Sequence, residues 1–202
     1  MILLTEIQYN PPIQYFWHAF RSDSLLIEAQ ENYIKQSYRN RCHILTAQGT
    51  QVLSVPVLRG GSKHKTRITE IEIDYSQKWC NVHWRTLQAA YGRAPYFEFY
   101  SDYIREVYAR QPKFLFDLNV DLLRLYLKLL KLNKQLHFTD DYTVEIPAAA
   151  VQDFRNRIHP KIHPDNLHIK PYKQVFGKHF APELSIIDLL FTQGPASVLY
   201  LQ

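Results

Sequence analysis

Apolar residues fall into short bursts through the first third of the chain and into long helical stripes after it. Ile2 to Gln8 reads as a buried strand, ended by Asn10-Pro11-Pro12, which cannot continue a ladder. Ile13, Phe16, Trp17 and Phe20 recur at helical spacing over Ile13 to Arg21, and Leu25 to Glu28 is a short second strand. Arg41 to Thr46 and Gln51 to Val57 flank Ala47-Gln48-Gly49-Thr50, a hairpin pattern. Ile68, Ile71 and Ile73, set among Glu70, Glu72 and Asp74, predict a further strand.

The second half is mostly helical. Ser76 is placed to cap a helix from about Gln77 to Tyr91, closed by Gly92 and Pro95. Pro95 suits the first turn of a second helix bearing Tyr96, Tyr100, Ile104 and Val107. A third, Phe114 to Leu132, is leucine-rich around most of its circumference, which predicts the central packing helix. Leu136 to Phe138 reads as a last strand, Ala148 to Arg157 as a short helix, and Pro182 to Gln193 as an apolar helix stopped by Gly194-Pro195, with a short terminal helix after it. The fold class is therefore α/β: a mixed sheet with an N-terminal strand-helix-strand unit, a β-hairpin and a mostly helical second half, in one domain over residues 1–202.

Composition narrows the function classes. A hydrophobic fraction of 46% with 21% charged residues belongs to a globular chain, so disorder is excluded. The net charge of +5 admits an anionic partner. That excess is spread out, without a basic stripe or a nucleic-acid module, so a small anionic substrate fits better than nucleic acid. Cys42 and Cys80 stand alone in apolar contexts, which excludes a disulfide framework and argues against a covalent thiol intermediate. The N-terminal run lacks a basic leader and no stretch approaches a spanning helix, so the expectation is a cytoplasmic chain without membrane insertion.

Candidate chemistry concentrates in Tyr33-Ile34-Lys35-Gln36-Ser37-Tyr38-Arg39-Asn40-Arg41, a polar run leading straight into the hairpin strands. Arg39 and Arg41 have the fork that grips phosphate or carboxylate, Lys35 adds charge, and Asn40 suits a substrate carbonyl. Arg59-Gly60-Gly61-Ser62-Lys63-His64-Lys65 is either an anion-cradling loop built on Gly60, Gly61 and Lys63 or a solvated hairpin tip. Gln8 and His18 lie at or just beyond the loop after the first strand, where α/β domains often meet ligand; His18 reads equally as a partly buried helix residue. His83 sits mid-stripe on its helix, as a paired core histidine or as a general base facing ligand. Asn119 and Asp188 are polar residues among aliphatic neighbours, and each is either structurally paired or an orienter of a site group. His159 and His163 have a helical metal-ligand spacing, but each precedes a proline, so no metal is assigned.

Several of these stretches occur together in one order. The YIKQSYRNR run leading into LSVPV, the HWRTLQAAYGRAPYF junction, the LFDLN helix start and the LSIIDLLFTQGP ending together resemble the WbqC-like family of bacterial proteins, over most of the chain. The resemblance implies a link to O-antigen and other surface-polysaccharide gene clusters. It also implies a glycine- or acyl-type transferase that decorates sugars, with a nucleotide or acyl-CoA donor as co-substrate and no established catalytic residues. The opening departs from the family pattern: Gln8 is followed by Tyr9-Asn10-Pro11-Pro12, and Gln14 stands where a glycine would fall before Tyr15-Phe16, which implies a different substrate at that loop. The expectation is a transferase using an anionic activated donor; the alternative is a non-catalytic ligand-binding or partner subunit of a biosynthetic complex.

Overall fold

The structure is a computed structural model that describes residues 1–58, 66–143, 150–162 and 169–202. β1 (Ile2–Glu6), α1 (Ile13–Arg21) and β2 (Ser24–Glu28) form the N-terminal unit. β3 (Arg41–Thr46) and β4 (Gly49–Ser54) form the hairpin, and α2 (Trp79–Tyr91), α3 (Phe97–Ala109) and α4 (Leu115–Leu129) follow. β5 (Gln135–Phe138), β6 (Val151–Asp153) and α5 (Ile186–Gln193) complete the regular elements, and a 3₁₀ segment, Gly194–Tyr200, closes the chain.

β1 and β2 pair in parallel, as a strand–helix–strand crossover requires, and the four-stranded sheet runs β5-β2-β1-β6 with every pair parallel. The expected mixture of strand directions is thus divided between two sheets: a parallel one and a separate antiparallel hairpin in which Arg41 faces Ser54 and Thr46 faces Gly49. Leu3, Leu4, Leu25 and Ile27 are fully buried, each worth about 1.5–3 kcal/mol of hydrophobic stabilisation. α4 is the central helix, with Leu115, Leu118, Leu122, Leu123, Tyr126 and Leu127 all buried. The C-terminal segment is stitched in by backbone bonds: the Ile13 N–H donates to Leu184, that of Ile186 to Pro11, and that of Ser185 to His43.

Three local expectations give way to tertiary structure. Residues Ile68–Glu70 form a 3₁₀ turn with only isolated bridges after it at Glu72 and Ile73. Ile68 and Ile71 are three apart, so one 3₁₀ turn points both inward, and the two-residue step to Ile73 is extended; all three are buried. Val151–Asp153, within the stretch expected to be helical, is instead the edge strand β6, drawn into the ladder by β1 partners Ile2, Leu3 and Leu4. Ser76 does not cap α2. Its backbone N–H and hydroxyl both donate to Asp74 Oδ1, closing a turn before the helix begins at Trp79.

Gly194, at the end of α5, has φ of 55° and ψ of −127°, a region open essentially to glycine, and a Cβ there would lie 2.4 Å from the Tyr96 ring. Gly194→Ala is expected to cost about 2 kcal/mol or more and to lower the melting temperature by roughly 4–8 °C in a thermal scan. An unchanged melting temperature would mean that the ring and backbone relax freely.

Candidate functional site

The carboxyl end of the parallel sheet collects an unusual number of charges. Glu6 and Glu28 end β1 and β2 directly opposite each other in register, and Asp153 ends β6 beside them. Chain order turns back across β1, since β2 and β5 lie on one side and β6 on the other. Such a switch point is where open α/β sheets form a crevice at their strand ends. Glu6 and Glu28 are buried, so each carboxylate needs partners. Glu6 accepts from Gln8 Nε2 at 2.7 Å and from the Asn156 backbone N–H at 2.8 Å. Glu28 accepts from Thr139 Oγ1 at 2.6 Å, the Gln30 N–H at 2.9 Å and Arg155 Nη1 at 2.9 Å, while Arg155 also forks onto Asp153.

Above these strand ends, Arg39 forms a buried bidentate pair with Glu31. Its Nε donates to Oε1 at 2.8 Å, and Nη2 donates both to Oε2 and to Asn156 Oδ1 at 2.8 Å. Burial pushes the Glu31 carboxyl up to about 7, against the pull of the Arg39 fork and with help from the charges of Glu6 and Glu28. Arg39 keeps its charge, because the Glu31 bonds and the field of Glu6 outweigh its own desolvation. The titrating member of the pair is therefore Glu31. A cleft of about 370 Å³, lined by Glu31, Asn32, Tyr33, Ile34, Tyr142 and Asn156, opens over it.

Arg41 borders this cleft electrostatically. Burial raises the Tyr33 phenol, and the positive charges of Arg41 first and Arg39 second oppose that rise. Arg41 is half-buried, and its Nε is shielded from water with no hydrogen-bond partner among the described residues. His159 lies in the same field: burial, Arg39 and Lys161 lower its pKa and Glu6 opposes them. Gln8 Oε1 and the Tyr15 hydroxyl are buried without partners among the described residues, and the Glu6 charge reaches Tyr15.

The other candidates from the sequence divide into three groups. Gln8 belongs to the strand end, its Nε2 also donating to the Ile158 carbonyl at 3.1 Å. Asn119 stands behind Arg39, donating to its carbonyl at 2.7 Å, and Asn40 Nδ2 is spent on the Val55 carbonyl at 2.9 Å. Lys35 is exposed beside Ile34. His18 instead packs on Phe154, ring centroids 4.0 Å apart, and burial with the nearby Arg21 lowers its pKa to about 4. Gly60, Gly61, Lys63 and His163 lie outside the described residues, and among those described no group of three His, Cys, Asp or Glu is arranged to hold a metal.

His83 and Asp188 lie in separate buried networks. Tyr9 Oη donates to His83 Nδ1 at 2.8 Å, and the imidazole's remaining N–H is spent on the Ser54 backbone. Tyr108 then bonds Tyr9 at 2.7 Å, Asn10 Nδ2 donates to Tyr108 at 3.0 Å, and Tyr126 donates to Asn10 Oδ1 at 2.5 Å. Every donor in that chain has an acceptor, so His83 is a satisfied core histidine, and it lines neither this cleft nor the larger cavity described below. Burial lowers it to about 4. Asp188 accepts from Tyr91 at 2.9 Å, Tyr172 at 2.5 Å and Gln174 at 3.3 Å. Both thiols are free, and burial pushes Cys42 up to about 12 and Cys80 up to about 11, which suppresses the nucleophilic thiolate.

Comparison with known proteins bears on this arrangement, because the matched segments include both the arginine run and the residues that follow β6. The model of the WbqC-like protein family matches residues 7–159 and 151–200. The chain belongs to the WbqC-like protein family. One similar protein is "Uncharacterized protein Rv1507c" of Mycobacterium tuberculosis (strain ATCC 25618 / H37Rv), 29% identical over 228 residues, spanning 100% of this chain and 97% of that protein. No solved structure matches. Among the described residues, no helix of this WbqC-like chain is long and apolar enough to cross a membrane.

The residues that sequence reasoning passed over are Glu6, Glu28, Glu31, Arg155 and Asn156. The signal for the first two was present: each strand run ends in a glutamate, Ile2–Glu6 and Ser24–Glu28. Two measurements test the electrostatics. A Glu31 carboxyl raised above its ordinary value favours the fold most at pH below about 4.5, and that contribution is lost as pH rises through 7. The unfolding free energy of the native chain relative to Glu31→Gln is therefore expected to fall by on the order of 1–3 kcal/mol over that window; a flat or rising difference would place Glu31 at an ordinary carboxylate pKa. The His83 ring proton shift is expected to stay constant between pH 5.5 and 8, and a titration midpoint near 6.5 would mean that the imidazole is open to water.

Proposed function

We propose that the strand-end cleft binds a small anionic substrate and that the protein is a transferase for an activated acyl- or aminoacyl-type donor. The observation that carries the reading is the half-buried Arg41, whose Nε is shielded and unbonded and which has no ion pair among the described residues; its charge acts on Tyr33, which lines the cleft with Glu31, a carboxyl that titrates close to neutrality. A guanidinium whose Nε is shielded and unbonded has bonding capacity left for an anion, so Arg41 is the anchor for the phosphate or carboxylate of the donor. Lys35, on the exposed side of the same run, adds to the attraction without being fixed.

Glu31 takes the general-base role, in preference to His83. A base must reach the acceptor, and Glu31 lines the cleft while His83 is enclosed in the tyrosine network. In the reaction so assigned, an acceptor amine or hydroxyl attacks the donor carbonyl carbon. The bond from that carbon to the leaving group breaks, the acceptor proton passes to the Glu31 carboxylate, and the departing anion stays paired with Arg41. Asn156, whose side-chain oxygen accepts from Arg39, holds the fork in place during this exchange. Surface-polysaccharide modification is the setting that the family resemblance suggests for such a transfer, with a sugar acceptor.

A binding-only reading is favoured by one specific feature: the Glu31 oxygens are already engaged by Arg39, as in a structural pair. A single experiment separates the two. The purified chain is screened by thermal shift against nucleotides, nucleotide-sugars, acyl-CoAs and amino acids, where a ligand at about 100 times its dissociation constant adds roughly 2.7 kcal/mol. Arg41→Ala is expected to weaken the hit at least tenfold. With donor and acceptor both present, Glu31→Gln is expected to abolish turnover while keeping donor affinity within a few-fold. Retained binding in Arg41→Ala overturns the site, and ligand binding without turnover in the native chain leaves the binding-only reading standing.

A further inference from the structure

A second cavity, larger than the cleft, opens at the far end of the hairpin. Its volume is about 840 Å³, and it is walled by Ala47 in the β3–β4 turn, the last turn of α2, residues 173–176 and the end of α5. β3 connects the two regions: Arg41 begins it beside Tyr33 and Thr46 ends it next to Ala47. At about 3.3 Å per residue the strand separates them by roughly 15–20 Å. This cavity and the strand-end cleft share no lining residue.

The chemistry of its wall has one sign. Ala89, Val175 and Phe176 supply apolar surface, Arg93 and Lys173 supply positive charge, and no Asp or Glu among the described residues lines the cavity. Neither cation forms an ion pair among the described residues. Two sources of negative charge lie nearby, and both are at least partly engaged. α2 and α5 end here, and part of their terminal carbonyls are engaged: the Gly92 N–H donates to Gln88 and that of Ala94 to Tyr91, while those of Gly194 and Tyr96 donate to Leu190 and Phe191. Asp188 adjoins through Gln174, and its oxygens accept from Tyr91, Tyr172 and Gln174. Gln174 is itself held on both sides, donating to the Ala181 carbonyl and accepting from the Ala181 N–H at 2.9 Å each. The result is a fixed amide wall, apolar surface and two exposed cations without an ion pair among the described residues, in a volume typical of small-molecule sites.

We propose that this cavity is a second ligand site, for an organic anion that carries a carboxylate or phosphate head on an acyl or aromatic body. The head pairs with Arg93 and Lys173, and the body lies on Val175, Phe176 and Ala89. The site is independent of the strand-end cleft.

Titration of the full chain with octanoate, phenyl phosphate and neutral octanamide, followed by backbone amide shifts and calorimetry, tests it. One or both anions are expected to bind and to shift the amides of Ala47, Val175 and Phe176; which of them binds names the head group. Octanamide is expected to bind at least tenfold more weakly than octanoate if the carboxylate is the head. The double variant Arg93→Gln/Lys173→Gln is expected to lose at least tenfold in anion affinity. Ala89→Trp, a substitution at an exposed helix position, is expected to block both anions by filling the cavity. Arg41→Ala should leave this binding unchanged, which keeps its outcome separate from that of the strand-end cleft. Failure of both anions to shift those amides, or unchanged affinity in the double variant, or octanamide binding as tightly as every anion that binds, overturns the proposal.

Discussion

The buried pair of Arg39 and Glu31 is the constraint on which the charged end of the molecule depends. Arg39 is 1% exposed and Glu31 5% exposed, so losing either partner would strand a charge in the interior, a change that costs about 3–5 kcal/mol in comparable pairs. The fork also holds distant pieces of chain. Asn156, 117 residues away, accepts from the guanidinium, and Asn119 on α4 donates to the Arg39 carbonyl. Through these bonds the loop between β2 and β3, the residues after β6 and the central helix are brought to one place. The same pair defines the floor of the cleft, so stability and site geometry rest on one interaction.

Two buried polar systems in this fold differ in completeness. The chain from Tyr126 through Asn10, Tyr108 and Tyr9 to His83 is a saturated sequence of donors and acceptors that locks α2, α3 and α4 onto the loop after β1. Such a network specifies one packing arrangement and leaves nothing over for a ligand. The strand end is incomplete: among the described residues Gln8 Oε1, the Tyr15 hydroxyl and Arg41 Nε have no partner, and the carboxylates of Glu6, Glu28, Glu31 and Asp153 are crowded with Arg39 and Arg155 between sheet and loop. Incomplete buried polar groups are costly, and folds keep them where a bound molecule supplies what is missing. The parallel sheet adds its own reason, because its strands all deliver their last residues to the same edge.

The hairpin connects the strand-end region with the large cavity. One end of β3 carries Arg41 into the strand-end region, and the other end forms part of the large cavity near Asp188. Its middle is pinned on one side by the β4 ladder and on the other by the Ser185 and His43 backbone bond, so the two ends keep a constant separation. α5 closes the arrangement from behind, with Ser185 capping its start and the unusual Gly194 conformation turning the chain sharply at its end.

The sequence by itself determined the elements whose signals are local. The α1 boundaries, the hairpin, the three consecutive helices and the apolar α5 with its Gly-Pro stop follow from periodicity and turn chemistry within windows of ten to fifteen residues. The order of its motifs was enough to place the chain in the WbqC-like family. Tertiary structure decided whatever depends on a distant partner. Val151–Asp153 is too short to carry a period and became a strand only because β1 offered an open edge. His83, mid-stripe on its helix, read either as a paired core histidine or as a general base, and only the hydroxyl of Tyr9, 74 residues away, shows how its nitrogen is satisfied. Arg39 and Arg41 looked alike in sequence. Glu31 claims Arg39, while Arg41 has no ion pair among the described residues, a difference that only the fold reveals.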